Sequence, residues 1–209
     1  MTDEQLSRLN KERKEVTFQA NETIIKRGGP LTHILCITSG MAKVYIEDDT
    51  DKQILIGLVK PVQLIGGPGF LVDERNHITV TALEETKTCF IDVNDFKAVM
   101  KANSEFTIEL VKYLNMRIIK YFDRILSLTH KHMHGKLAET LLYLADAVYN
   151  SDKFETLLNR QDLADMSAMT KESVIRILKE FNEEGIINSD ISHFEILNKK
   201  LLRKINQTG

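Results

Sequence analysis

Lys171, Glu172, Ser173, Arg176 and Lys179 are the side chains whose types and spacing say most about chemistry in this sequence. An arginine can donate two parallel hydrogen bonds to O6 and N7 of guanine, and a glutamate can accept from the amino group of cytosine. Lysine and serine side chains bind phosphate oxygens. The five share one helix face only if the other face is apolar, and Val174, Ile177, Leu178 and Phe181 supply that stripe at i, i+3, i+4, i+7. An i, i+4 pair such as Glu172/Arg176 also occurs on plain solvated helices, where it is worth about 0.2–0.5 kcal/mol. The pair gains meaning from the elements that position it.

Those elements are legible in LNRQDLADMSAMTKESVIRILKEFNEEGIIN, residues 158–188. Asn159 is placed to cap a short helix, with Asp162 favourable against its dipole and Arg160 on its first turn. Ser167-Ala168-Met169 breaks that helix, at a turn where glycine is commoner than Ala168. Thr170 is placed to cap a second helix running to about Glu184, which Gly185 stops. The small Ala164 lets the two helices approach. This is a helix-turn-helix layout with a polar amino-terminal half on its second helix, and it predicts double-stranded DNA as a partner. The DNA-binding set expected is Arg160, Thr170, Lys171, Glu172, Ser173, Arg176 and Lys179. Beyond it, IINSDISHFEILN (186–198) reads as a hairpin turning near Ser189-Asp190 and Ser192-His193, the wing of a winged helix. The basic KKLLRKI (199–205) reads equally as a phosphate-contacting segment or a solvated helix.

The first half of the chain has a different texture. Seven of the ten glycines and all three prolines fall between residues 28 and 69. Between these punctuators lie the β-branched runs 22–26, 34–46, 53–59, 78–83 and 86–92. They predict six to eight strands in an antiparallel sandwich of the jelly-roll kind. DFKAVMK then reads as a short helix capped by Asn94. From Ser104 to about Lys131 a heptad sets Val111, Ile118 and Ile125 at one seam position and Leu114, Tyr121 and Leu128 at the other. β-Branched residues at one position and mostly leucine at the other favour a parallel two-stranded coiled coil, hence a homodimer. THKHMHG (129–135) reads as a hinge closed by Gly135, KLAETLLYLADAVY (136–149) as an apolar helix and NSDKF as a polar turn. The fold class is α+β: a β-roll over residues 1–103, a dimerisation helix and hinge over 104–134, and a winged helix-turn-helix domain over 135–209.

Composition narrows the alternatives. No apolar run approaches the ~20 residues of a membrane-spanning helix, and the charged start MTDEQLSRLNKERKE is unlike a secretory signal. Two cysteines, Cys36 and Cys89, are too few for a disulfide scaffold, a four-cysteine zinc module or a cysteine-ligated iron–sulfur cluster, so a cytoplasmic setting is expected. Both fall in strands, where free cysteine is usually a small buried hydrophobe. The histidines at 33, 77, 130, 132 and 134, with Met41, offer single axial positions for haem, but no ligand set of recognised spacing. A jelly-roll metalloenzyme would require clustered histidine and carboxylate ligands on the strands, and only His33 and His77 are there, so no enzymatic activity is expected. The net charge of −2, from 28 basic and 30 acidic residues, argues at face value against nucleic acid. The last 74 residues repeat that balance, with ten basic and twelve acidic, so placement of charge has to outweigh its sum.

Over nearly its full length the chain resembles the CRP/FNR family of bacterial transcription regulators. FQANETIIKRGGP followed by ILCITSGMAKVYI is similar to the family's β-roll signature, with glycines at 28, 40, 57 and 66. TKESVIRILKEF resembles its recognition helix, which puts Glu172 and Arg176 where members read a TGA-containing half-site. Lys171 stands where cyclic-AMP-responsive members carry arginine, and Ile175 where the iron–sulfur branch carries serine. The resemblance implies a cyclic-nucleotide-binding-like sensor domain, a palindromic operator, and RNA polymerase as a further partner. It also shows where the chain departs. A cyclic-AMP binder of this family has a glycine–glutamate pair and, about ten residues on, an arginine–serine pair. In LIGGPGFLVDERNHITV the glutamate is replaced by Gly67, and Asn76-His77 stands at the second pair unless Arg75 slides in by a gap. On the long helix, Tyr121-Phe122 replaces the hydroxyl pair offered to adenine. The candidate effector pocket is therefore Gly66, Gly67, Asn76, His77, Tyr121 and Phe122. Its ligand is expected to be other than cyclic AMP, with haem-based gas or redox sensing as the alternative.

Overall fold

The computed structural model describes residues 14–48, 50 and 52–208. It divides into two compact units, Met1–Lys52 with Ile56–Lys120, and Gln53–Leu55 with Tyr121–Gly209.

Strands β1 (Lys14–Phe18), β2 (Thr23–Ile25), β3 (His33–Ser39), β4 (Ala42–Glu47), β5 (Gln53–Val59), β6 (Leu64–Ile65), β7 (Thr79–Ala82) and β8 (Thr86–Asp92) form two four-stranded sheets, all within the first unit but for the Gln53–Leu55 start of β5. Their orders are β1-β8-β3-β6 and β2-β7-β4-β5. Alternation puts Leu35, Ile37, Val44, Ile65 and Val80 into one apolar layer, with Phe90 packed against it. The opposite parity of the first sheet, Ile34 with Ile91, belongs to a second layer containing Val93, Phe96 and Leu110 of the following helices. The run 34–46 divides at Gly40, whose φ is +83° and where a Cβ would overlap the Glu85 carbonyl. β1 and β6 were not expected. KEVTF is almost wholly exposed and carries no apolar alternation, and β6 is two residues long.

Helix α1 (Val93–Ala102) is capped by Asp92, whose side chain accepts from the amides of Asn94 and Asp95. The expected cap, Asn94, lies inside the first turn; the aspartate two residues earlier already meets the free amides. Helix α2 (Ser104–His130) follows, and the Asn103 side chain accepts from the Phe106 amide at its start. The division between units falls within α2, between Lys120 and Tyr121.

The second unit contains α3 (Met133–Tyr143), a π-helical stretch (Leu144–Tyr149) ended by Asn150 at φ 50°, and β9 (Lys153–Glu155). Next come α4 (Arg160–Ser167), α5 (Lys171–Glu183), the hairpin β10 (Ile187–Ser189) and β11 (His193–Ile196), and α6 (Lys199–Thr208). Three expectations change here. The hinge shortens to Lys131 and His132, because Gly135 is buried within α3. The polar turn NSDKF supplies Lys153–Glu155 as the third strand of the wing sheet, in the order β10-β11-β9. That strand follows from packing, since Phe154 is buried and stacks on Phe194. Finally, the terminal basic segment is half neutralised. Lys199 pairs with Asp146 at 2.6 Å and with Asp152, and Arg203 reaches Asp146 at 3.5 Å. Lys200 and Lys204 remain exposed.

Candidate nucleic-acid interface

Two turns and two caps fix the helix pair. Asn159 accepts from the amides of Gln161 and Asp162, while Asp162 accepts from the Asn159 amide, a reciprocal capping box. Ala168 ends α4 in the left-handed region, at φ 48°, in the place where glycine is commoner. Thr170 then caps α5 by accepting from the Ser173 amide at 3.2 Å. Val174, Ile177, Leu178 and Phe181 are all buried, together with Leu163 and Ala164 of α4. At about 25 cal/mol per Å² of apolar surface, each large side chain of that stripe contributes roughly 1.5–3 kcal/mol to holding α5 in place.

This packing leaves Lys171, Glu172, Ile175, Arg176 and Lys179 exposed, with Ser173 half-buried beside the cap. The acid–base pairing differs from Glu172/Arg176. Arg176 donates to Glu180 at 2.6 Å, and Lys179 lies 3.6 Å from Glu183. Glu180 is shared: its second oxygen meets His134 Nε2 of α3 at 2.7 Å, and the His134 ring packs on Phe181. The His134 hydrogen bond, followed by Arg176, holds the Glu180 carboxyl below its ordinary pKa. Arg176 is thereby oriented by a carboxylate that is itself oriented from the neighbouring helix. Sequence spacing does not single out this pair, because 46 positions separate His134 from Glu180.

Arg160 is used differently from the rest of the expected set. Its guanidinium donates to the carbonyls of Asp190 and Ile191 and lies 5.2 Å from the centre of the Phe194 ring. Burial pushes its pKa down, though an arginine remains charged. It ties the wing turn to the start of α4. A second tie comes from Asn182 at the far end of α5, which accepts from the Ser189 amide at 2.8 Å and donates to the Ser189 hydroxyl. The wing tip carries Ile191, 87% exposed.

The candidate effector residues lie on a loop that closes on itself. Gly69 O accepts from the amides of Val72, Asp73 and Glu74, and Asn76 and Gly28–Gly29 exchange backbone hydrogen bonds. A Cβ at Gly69 would overlap the Arg75 carbonyl. Asn76 Nδ2 donates to Pro30 O at 3.2 Å, His77 Nε2 meets Asp73 at 2.8 Å, and Arg75 Nη1 donates to Gly28 O at 3.2 Å. Gly66 sits against Ile34, and Gly67 takes φ 68°. Tyr121 and Phe122 belong to the other unit, where Tyr121 is half-buried and Phe122 is 61% exposed.

Of the six heptad residues, Val111, Leu114, Ile118 and Ile125 are exposed, while Tyr121 and Leu128 are half-buried. Phe122 extends the exposed line instead, giving Val111, Ile118, Phe122 and Ile125 along one side of α2. No helix among the described residues is long and apolar enough to cross a membrane.

Comparison with known proteins accords with this architecture. The sequence matches the cyclic nucleotide-binding domain family over residues 15–103 and the Crp-like helix-turn-helix domain family over residues 135–205, which together span most of the chain. Among curated relatives, the cAMP-activated global transcriptional regulator Vfr of Pseudomonas aeruginosa is 25% identical over 178 residues, covering 82% of this chain and 83% of that protein. The transcriptional regulatory protein btr of Bordetella pertussis is 22% identical over 210 residues, covering 99% of this chain and 82% of that one. Among solved structures, FixK2 of Bradyrhizobium japonicum has the same fold, with a TM-score of 0.84 at 16% identity over 94% of this chain and 98% of that chain. A cyclic nucleotide-binding domain followed by a Crp-like helix-turn-helix domain shows that the chain belongs to the CRP/FNR family of transcription regulators.

Proposed function

We propose that the protein is a homodimeric, sequence-specific DNA-binding regulator controlled through its β-roll by an effector other than cyclic AMP. The observation that carries the DNA reading is the exposed amino-terminal half of α5, where Arg176 and Glu172 stand clear of a fully buried stripe. Lys171, Ser173 and Lys179 flank them for phosphate contacts, and the capped helix start adds its own amides. Arg160 serves by fixing the wing and Thr170 by fixing the helix start. The apolar line along α2 supports the dimer, because Val111, Ile118, Phe122 and Ile125 are between 44% and 61% exposed in a single chain. Two-fold symmetry then calls for a palindromic operator with half-sites one helical turn apart, roughly 10 bp centre to centre. RNA polymerase is the partner on which such a bound dimer acts.

Vfr is described as cAMP-activated, and that property is not carried over to this chain. The loop offers no cation toward a cyclic phosphate: Arg75 is turned to the Gly28 carbonyl, and Asn76 and His77 are engaged with Pro30 and Asp73.

Arg176→Ala tests the reading. Affinity for a duplex carrying a TGA-type palindrome is expected to fall by more than about tenfold, consistent with the ~1–3 kcal/mol of a bidentate base contact. Affinity for unrelated DNA is expected to change far less. Equal affinity of variant and parent for the palindrome would overturn the base-reading role.

A further inference from the structure

The two cysteines, 53 positions apart in sequence, are direct cross-strand neighbours: Cys36 of β3 pairs with Cys89 of β8 in the antiparallel register. Residues directly opposite in such a pair project from the same sheet face, with Cα atoms about 4.5–5.5 Å apart. A disulfide spans Cα separations of about 4.4–6.8 Å. The face is also defined. Leu35, Ile37 and Phe90, of opposite parity, belong to the apolar layer between the sheets, so Cys36 and Cys89 share the other face with Ile34 and Ile91. Cys89 is buried and Cys36 half-exposed, so one thiol is shielded and the other accessible.

The row they form runs across the sheet as Glu15, Cys89, Cys36 and Leu64. At its end, the Leu64 carbonyl accepts from the Tyr113 hydroxyl at 3.2 Å and from Arg117 Nη1 at 3.3 Å, both on α2. A guanidinium is thus anchored on the residue that pairs with Cys36. The same two bonds tie the strand that carries the row to the long helix.

We infer that Cys36 and Cys89 form a redox-active dithiol, oxidised by hydroperoxides to a cross-strand disulfide, and that this is an input to the regulator. The Cys36 thiolate attacks a peroxide oxygen, the O–O bond breaks, and with hydrogen peroxide one water leaves as Cys36 becomes a sulfenic acid. The Cys89 sulfur then attacks the Cys36 sulfur, forming S–S and releasing the second water. Overall two thiols and one hydrogen peroxide give one disulfide and two waters. A thiol reductant reverses it by exchange. Closing the bond locks the β3–β8 pairing at this register and acts on α2 through β6, Tyr113 and Arg117. The chemistry stands on its own; its regulatory meaning rests on the DNA-binding reading above.

The test uses the full chain treated with hydrogen peroxide, with alkylation and intact-mass measurement followed by peptide mapping. Wild type is expected to lose two hydrogens, to become refractory to alkylation, and to yield one cross-linked peptide joining Cys36 to Cys89 within a chain. Cys36→Ala, at the less buried position, is expected to fold and to leave Cys89 alkylatable once the treated protein is unfolded in denaturant, the condition used for every alkylation here. In parallel, affinity for the TGA-type palindrome is expected to shift at least about fivefold on oxidation, in wild type and not in Cys36→Ala. Two alkylatable thiols after treatment, a bond between chains, or oxidation ending at a single sulfinic acid would each overturn the dithiol. A disulfide that forms without altering DNA affinity would overturn its regulatory role. Failure of the reduced protein to bind the palindrome strikes the DNA-binding reading instead, and the mass measurement still decides the dithiol.

Discussion

The loop from Gly66 to His77 and the helix from Lys171 to Glu183 both carry polar residues at places the sequence singles out, yet they spend them in opposite ways. In the loop, hydrogen bonds are made inward: Asn76 to Pro30, His77 to Asp73, Arg75 to Gly28, and three amides to the single carbonyl of Gly69. On the helix, the apolar stripe takes up the packing, and the polar face is left exposed with only i, i+4 pairs at Arg176 and Lys179. Such exposed pairs are worth little and exchange readily for a phosphate or a base edge. A polar residue type at an expected position therefore says less about function than the direction in which its hydrogen bonds run.

Substitutions can break that contrast. Gly69→Ala puts a methyl group onto the Arg75 carbonyl and is expected to cost about 3 kcal/mol, read by chemical denaturation. Unchanged stability would mean the loop is not closed as described. Arg160→Ala removes the charged donor shared by two wing carbonyls and uncovers Phe194. A loss of roughly 2 kcal/mol is expected, with hydrogen exchange rising in β10 and β11. Thr170→Ala removes the cap of α5 and is expected to cost about 1 kcal/mol, with Thr170→Ser restoring most of it.

The smallest effect is one of pH. Lys199 hydrogen bonds to Asp146 and Asp152 raise the lysine pKa above its ordinary value, and the Lys199 hydrogen bond lowers that of Asp146. The raised lysine stabilises the fold below its unfolded pKa, and that contribution is lost as pH rises through the folded value. The lowered aspartate stabilises above its unfolded pKa and loses the effect as pH falls through the folded one. The clamp on α6 is thus expected to weaken at both extremes, above pH 10.5 and below pH 3.8. Lys199→Met should flatten both limbs of the stability–pH curve.

Much of this was legible in the residues. The strand Gln53–Val59 and the strand Thr86–Asp92 fall where β-branched runs end at turn residues, and both helices of the helix-turn-helix begin at the caps that Asn159 and Thr170 announce. Local signals fix local structure. What escaped the sequence depends on partners distant along the chain. Lys153–Glu155 becomes a strand only because Phe154 meets Phe194, and Arg160 becomes a wing tether only because the hairpin returns to it. The Cys36/Cys89 pairing depends on strand register, which no single run reveals. Along α2, the heptad identified an apolar side, but helix geometry gives Phe122 rather than Tyr121 the exposed place.

The central claim, that the exposed face of α5 reads sequence in a two-fold arrangement, is tested most directly by selection of duplexes from a random-sequence pool by the purified reduced protein. The expected result is a palindrome with TGA-type half-sites roughly 10 bp apart centre to centre, whose enrichment disappears with Arg176→Ala. Recovery of no preferred sequence, or of an asymmetric site untouched by that substitution, would contradict it.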